Sequence, residues 1–392
     1  GVVILARVEY PASYCSPPVL CALKCMKNKE SCKDNEKCVK YMKKEFSRQH
    51  RLYFKSSLQS CIPRPLHILD LLDGDLKGTF GMAMEFCQGG NVIDFAKSWA
   101  VDLDECDPCE DDEEDIVYDP VKLAALCVAI IECVATLCVA KKKLVHRDIK
   151  PDNFLVRYDA LKKQCHVLLG DLGFVEIRDS MSCSSFITTD SSSSTSSTSS
   201  SSSRSSRSSS SSSSDGLTFV FKTSIVGTLC YNAPESLANG FYCQRSDAWG
   251  VVLTIWSLFN DMKQPFMTHP KVTTIPYSED YNKNLIDVLG ELTKKKSCLP
   301  QLTDSEIFCS LETIEGGKYN AVYQVFLAVF DGLLNPDRLK RMTIHQARSL
   351  TNDIKYLLPR LGEGWECPSI EEYIARQLEE YDGCTGTIHS SS

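Results

Sequence analysis

His146-Arg147-Asp148-Ile149-Lys150-Pro151-Asp152-Asn153-Phe154-Leu155 gathers a carboxylate, a cation and an amide between Asp148 and Asn153. The mostly apolar, strand-like run Cys165–Leu169 follows. It ends just before Asp171-Leu172-Gly173, eighteen residues beyond Asn153. An Asp-x-Gly triplet alone is an ordinary turn. Its place after a strand, which itself follows so polar a loop, gives it weight.

Working outward, Val19-Leu20-Cys21-Ala22-Leu23-Lys24 is an apolar strand closed by a lysine, and Gly1-Val2-Val3-Ile4-Leu5-Ala6-Arg7 precedes it. A lysine in that position is ordinarily a solvent-facing strand end. Downstream lie Gly227-Thr228-Leu229-Cys230-Tyr231-Asn232-Ala233-Pro234-Glu235, Ser246-Asp247-Ala248-Trp249 and Arg341-Met342-Thr343. The first loop matches H-R-D-x-K-x-x-N, and with the other segments it resembles the protein kinase family over about residues 1–350.

The resemblance implies an α+β fold: the bilobal protein kinase architecture, with a small β-rich N-lobe and a larger helical C-lobe. Residues 1–83 would be the N-lobe, 84–90 the hinge, 91–355 the C-lobe and 356–392 a tail in which Pro368–Tyr381 reads as an amphipathic helix. The first strand and the first two loop glycines of the family pattern are missing. Beginning at Gly1 rather than Met, the chain is expected to be a piece of something longer.

The implied activity is transfer of the γ-phosphoryl group of ATP, with Mg²⁺, to a Ser/Thr hydroxyl on a protein substrate. Such transfer needs a carboxylate to orient the attacking hydroxyl and accept its proton, the role implied for Asp148. Lys150 would neutralise charge on the transferring group, and Asn153 and Asp171 would hold Mg²⁺. Leu172 replaces the family's Phe, one apolar packing residue for another. Lys24 would grip the α- and β-phosphates. Val3 would cover the adenine ring, with Ala22 and Leu155 completing an apolar sandwich. Met82–Gly90 resembles the hinge, where backbone groups of Glu85, Phe86 and Cys87 would bind adenine and Met84 would guard the pocket behind. Thr228 points to Ser/Thr acceptors, its hydroxyl bonding to Asp148 and Lys150. Glu235 would pair with Arg341, and Asp247 would brace the catalytic loop.

Lys24 needs a carboxylate partner on the next helix, read over roughly Asp34 to Phe54, where Glu30, Glu36 and Glu45 are candidates. The apolar stripe of that helix runs through Cys38, Val39, Met42 and Phe46. Glu45 lies about 75° from the stripe's centre and Glu36 about 105°, at 100° per residue, so Glu45 is the choice.

Arg147 directly precedes Asp148, a placement associated with kinases switched by activation-loop phosphorylation. Thr223 and Ser224 stand five and four residues before Thr228, where such sites fall. The segment from Asp171 to Glu235 also contains Ser191–Ser214, in which only Thr195, Thr198, Arg204 and Arg207 interrupt serine. Such a tract buries too little apolar area to offset its ordering entropy and reads as a disordered insertion. Asn153-Phe154-Leu155 is similar to the casein-kinase-one group, whereas Ala233-Pro234-Glu235 departs from it. With Val156, Asp247-Ala248-Trp249, the cysteines and the serine tract, it resembles the rhoptry-type kinases of apicomplexan parasites, which would imply secretion and formed disulfides.

Composition sets outer bounds. Across 392 residues, 43% are hydrophobic, enough for a substantial core, and the net charge of −8 argues against a nucleic-acid partner. Leu123 to Ala140 approaches membrane-spanning length but holds Glu132, which costs about 2.5–3.5 kcal/mol on insertion scales, so a buried helix is expected and no membrane span. The segment Asp102–Asp115 is acidic enough to read as a solvated loop. The 20 cysteines are scattered, and Cys106 and Cys109 form a lone CxxC without a second pair. No asparagine begins a glycosylation sequon. A reducing, cytoplasmic setting is therefore expected, with a secreted effector as the alternative. A pseudokinase acting as a nucleotide- or protein-binding module competes with an active enzyme, on the strength of the missing glycines and Leu172. The presence of Lys24, Asp148, Lys150, Asn153 and Asp171 favours the enzyme.

Overall fold

The computed structural model describes residues 2–8, 19–25, 35–55, 58–71, 79–102, 116–141, 144–177, 221–369 and 372. The serine tract, all but the first residue of the acidic segment, Glu30, the side chain of Glu36 and nearly all of the 368–381 segment lie outside them.

Four strands, β1 (Val2–Val8), β2 (Val19–Cys25), β3 (Pro65–Leu71) and β4 (Thr79–Glu85), form an antiparallel sheet in the order β1-β2-β4-β3. The two-residue period of a strand sorts their side chains by face. Cys21, Leu23 and Cys25 are buried with Ala83 on one face, where Ile4, Ala6 and Leu66 pack against them. Ala22 and Lys24 belong to the other face. In register, Lys24 stands opposite Val3 and Met82, and Ala22 stands opposite Met84. The helix α1 (Asn35–Lys55) covers that face, Met42 and Phe46 packing on Met82, Met84 and Ala22.

The rest of the described chain is mainly helical. In order it runs α2 (Val92–Lys97), β5 (Val101–Asp102), β6 (Ile116–Val117), α3 (Pro120–Ala140), β7 (Leu144–Val145), β8 (Phe154–Asp159), β9 (Gln164–Leu169) and β10 (Glu176–Ile177). After residue 220 come β11 (Phe221–Lys222), α4 (Pro234–Asn239), β12 (Phe241–Tyr242), α5 (Gln244–Phe259), α6 (Pro270–Thr273), α7 (Tyr281–Leu292), α8 (Glu306–Gly317), α9 (Asn320–Leu333) and α10 (Ile344–Asn352).

By length and composition α3 could cross a membrane. In the fold it is a core helix, with Leu126, Ile130 and Ala135 fully buried in one cluster with Phe154 and Trp249. Asp119 caps its start, accepting from the Val121 and Lys122 N–H groups at 2.9 and 3.1 Å ahead of Pro120 at the first helical position. Glu132, its one charge in the apolar run, pairs with Lys355 at 2.9 Å and Arg348 at 3.1 Å.

A buried charge pair ties α4 to the segment before α10. Arg341, fully buried, forks onto Glu235 with N···O distances of 2.8 and 2.9 Å. Its other donors reach the carbonyls of Asn335 and Arg245, and Ser246 Oγ donates to Glu235. A buried pair satisfied on both sides is the only kind that recovers its desolvation cost. The thirteen cysteines whose side chains are described are free thiols. The mixed sheet-and-helix architecture is compatible with a kinase fold.

Candidate active site

Two turns in left-handed backbone bring the polar groups together. Arg147 has φ 72° and Asp171 φ 49°, conformations that cost a non-glycine residue about 1–3 kcal/mol and persist only when the surroundings enforce them. Here Asp247, buried in the first turn of α5, enforces the first: its carboxylate accepts the backbone N–H groups of His146 and Arg147 at 2.7 and 2.9 Å. The second is tied to the first through Gly170, whose N–H donates to the Asn153 carbonyl at 2.8 Å and whose carbonyl meets His146 Nε2 at 3.0 Å.

Asp148 is buried, and each of its oxygens is engaged. Oδ1 accepts the Thr228 N–H at 2.9 Å and the Thr228 hydroxyl at 3.0 Å, while Oδ2 accepts from the Asn153 amide at 3.1 Å. Gly227 makes the approach possible: at φ +81° its absent Cβ would lie 2.4 Å from the Arg147 carbonyl. The expected Thr228–Lys150 hydrogen bond is not found among the described residues. The Thr228 hydroxyl points its proton at Asp148, and the half-buried Lys150 forms no ion pair among the described residues. That leaves a cation two residues from the carboxylate.

Lys24 joins the sheet to this loop. Its ammonium lies 2.8 Å from Glu45 on α1 and 2.9 Å from Asp171. Burial works against the charged form of all three groups. For Lys24 the two carboxylates outweigh it and raise the ammonium's pKa. For Asp171 the Lys24 charge and hydrogen bond, His146 and the Gly173 N–H outweigh it and hold the carboxyl below its usual range. For Glu45 burial wins, aided by the Asp171 charge, and its pKa is raised despite Lys24.

The remaining candidates sit around this centre. Val3 is exposed opposite Lys24, and Ala22 and half-buried Leu155 lie on β2 and β8. Met84 is buried under α1. In the segment after it, part of the backbone is already in use: the Glu85 N–H donates to the Arg64 carbonyl at 2.8 Å, and the Cys87 carbonyl accepts from Gly90 at 3.0 Å. The Glu85 side chain accepts from the Arg64 N–H at 2.9 Å. Half-buried Phe86 lies between them.

Residues 153 and 171 have the donor types a hard divalent cation takes. The Asn153 amide nitrogen is spent on the Asp148 carbonyl at 2.7 Å and carboxylate at 3.1 Å, which leaves its oxygen as the available ligand atom. Asp171 Oδ1 is taken by Lys24, while the half-exposed carboxylate, kept ionised, retains Oδ2. Among the described residues no group of three His, Cys, Asp or Glu side chains could form a metal cage. A Mg²⁺ ion fits two protein oxygens completed by phosphate and water.

Arg48 and Glu176 escaped the sequence reading. Arg48 on α1 donates to the Gly173 carbonyl at 2.8 Å and meets Glu176 at 3.5 Å, and Arg147 meets the same Glu176 oxygen at 3.1 Å. Arg147 also donates to the Phe174 carbonyl and, at 3.1 Å, to the Thr223 hydroxyl. The available signal was spacing: Arg48 falls three residues after Glu45, on the same face of the helix.

Compared with known proteins, the chain is 34% identical over 111 residues to 3-phosphoinositide-dependent protein kinase 1 of Caenorhabditis elegans. The match covers 28% of this chain and 16% of that relative's length. No protein-family model matches the chain. The similarity supports a kinase-like relationship and carries no support for the rhoptry-type subgroup.

Proposed function

We propose that this chain is a serine/threonine protein kinase that transfers the γ-phosphoryl group of ATP to hydroxyls of protein substrates. The observation that carries the reading is Lys24, whose ammonium joins Glu45 and Asp171 from two distant parts of the chain. That bridge sets a cation, an ionised carboxylate and the Asp148 loop around one centre.

Asp148 would orient the acceptor hydroxyl and take its proton as the oxygen attacks. Its hydrogen bonds from Thr228 and Asn153 fix the carboxylate plane, so no reorientation is needed during the step. Lys150, without an ion-pair partner among the described residues, would stabilise charge on the transferring group. Asn153 and Asp171 would hold Mg²⁺, which when bound would neutralise charge on the nucleotide phosphates. Lys24, held in place by Glu45, would turn its remaining proton toward the α- and β-phosphates. The face carrying Val3, Ala22 and Met84, with Leu155 below, would enclose the adenine.

On this reading the sheet region and the helical part are the two lobes, bounded at 1–83 and 91–355 with the hinge at 84–90. A reducing, cytoplasmic setting is part of the proposal, resting on the scattered cysteines and the lack of glycosylation sequons. The test is direct: the purified chain, Mg²⁺ and γ-labelled ATP are incubated with a generic basic protein substrate. Label recovered as phosphoserine or phosphothreonine is expected; Mg²⁺-dependent nucleotide binding with no transfer would instead favour a pseudokinase module.

A further inference from the structure

Away from the Asp148 site, a cavity of about 360 Å³ opens between α3, β9, the turn at Ser60–Cys61 and residues 355–361. Three thiols line it from different elements: Cys61 from the turn, Cys133 from α3 and Cys165 from β9, all nearly fully buried. Cys133 donates to the Cys61 carbonyl at 3.5 Å, and the Cys61 sulfur lies 3.4 Å from the Ser60 hydroxyl. The same Cys61 carbonyl accepts the Leu169 N–H at 2.7 Å, two residues before Asp171.

We propose that Cys61 and Cys133 form a peroxide-oxidisable dithiol, a modification site reached through this cavity, and that oxidation joins them as a disulfide. The proposal stands independently of the phosphotransfer reading.

The chemistry balances with hydrogen peroxide as the oxidant. The Cys61 thiolate attacks one peroxide oxygen, the O–O bond breaks, and hydroxide leaves to be protonated to water. The sulfur is now a sulfenic acid. The Cys133 sulfur, giving up its proton, then attacks the Cys61 sulfur; the S–O bond breaks and a second water departs. Two thiols and one peroxide become one disulfide and two waters.

The surroundings select Cys61 as the attacking thiol. The neighbouring Cys133 thiol, then the Ser60 and Thr136 hydroxyls and the Arg348 guanidinium, outweigh burial and hold Cys61 below the ordinary thiol range, while Cys61 and burial push Cys133 up. Of the other charges at this face, Glu132 is paired to Arg348 and Lys355, and Arg360 and His166 also line the cavity. Other buried thiols lack such support: burial pushes Cys165 and Cys230 up to about 12, and Cys87, Cys127 and Cys138 higher still. Oxidant entering the cavity thus meets a thiol that ionises more readily than the other buried thiols, with a second thiol beside it.

The experiment treats the reduced full chain with hydrogen peroxide, alkylates what remains, and maps cross-linked peptides by tandem mass spectrometry. A Cys61–Cys133 linkage, two hydrogens lighter and reversed by dithiothreitol, is expected. In Cys133→Ser, Cys61 should stop at the sulfenic acid and be trapped by dimedone. The rate should rise with pH and level off at lower pH than for an ordinary thiol, whose pKa is about 8.5. Circular dichroism checks that each variant folds, and the wild-type linkage and pH profile carry the test should a variant fail to fold. Cys61 linked to another cysteine, Cys61 still alkylatable after other thiols have oxidised, or a rate still climbing beyond about pH 9 would overturn the proposal.

Discussion

Lys24 and Asp171, 147 residues apart in the chain, stand 2.9 Å from each other, and the same ammonium reaches Glu45 at 2.8 Å. One cation thus serves two carboxylates in different surroundings. Asp171 titrates below the usual carboxylate range and Glu45 above it.

The two carboxylates should therefore affect stability with opposite signs. A depressed folded-state pKa contributes stability that is present above the unfolded value and is lost as pH falls through the folded one. A raised pKa contributes stability that is present below the unfolded value and is lost as pH rises through the folded one. The advantage of wild type over Asp171→Asn should shrink on acidification, and its advantage over Glu45→Gln should shrink on going from acid to neutral pH. Urea denaturation between about pH 3 and pH 7, spanning ordinary carboxylate values, measures both. Slopes of the same sign would mean that burial does not separate the two groups.

Metal dependence should follow residue 171. Asp171→Ala should weaken Mg²⁺-dependent nucleotide binding by roughly tenfold or more, since loss of even an outer-shell partner costs that much. Asp261→Ala, in an exposed turn, should leave it unchanged. Calorimetric titrations with Mg²⁺ and with chelator decide the matter, and equal behaviour of the two variants would place the cation elsewhere.

The Glu235–Arg341 pair should carry stability rather than chemistry. Removing the carboxylate leaves a fully buried guanidinium unmatched, so Glu235→Ala should cost about 3–5 kcal/mol. Chemical denaturation of the variant reads this directly. A loss below about 1 kcal/mol, the range of exposed pairs, would mean water reaches Arg341.

What the sequence made legible was local. The alternation of Cys21, Leu23 and Cys25 against Ala22 and Lys24 is a strand pattern, and the helical wheel of α1 turned Glu45 toward Lys24 because geometry at 100° per residue needs no tertiary information. The strand Pro65–Leu71 was not read: it opens on proline, and its pairing with β4 shifts register after Pro65. The Arg48–Glu176–Arg147 cluster joins three segments whose approach exists only after folding. Cys61 and Cys133, 72 residues apart, gave no spacing signal at all.

The central claim is that Asp148 acts on the acceptor hydroxyl in the transition state. The most direct measurement compares kcat for phosphate transfer by wild type, Asp148→Asn and Asp152→Asn, the last altering an exposed carboxylate of the same loop. Asp148→Asn keeps the shape and an oxygen for the two Thr228 donors, losing only the acceptor opposite the Asn153 amide, so nucleotide affinity should stay within a few-fold while kcat falls by about 10²–10⁴. Asp152→Asn should retain wild-type turnover. Undiminished kcat in Asp148→Asn would contradict the account.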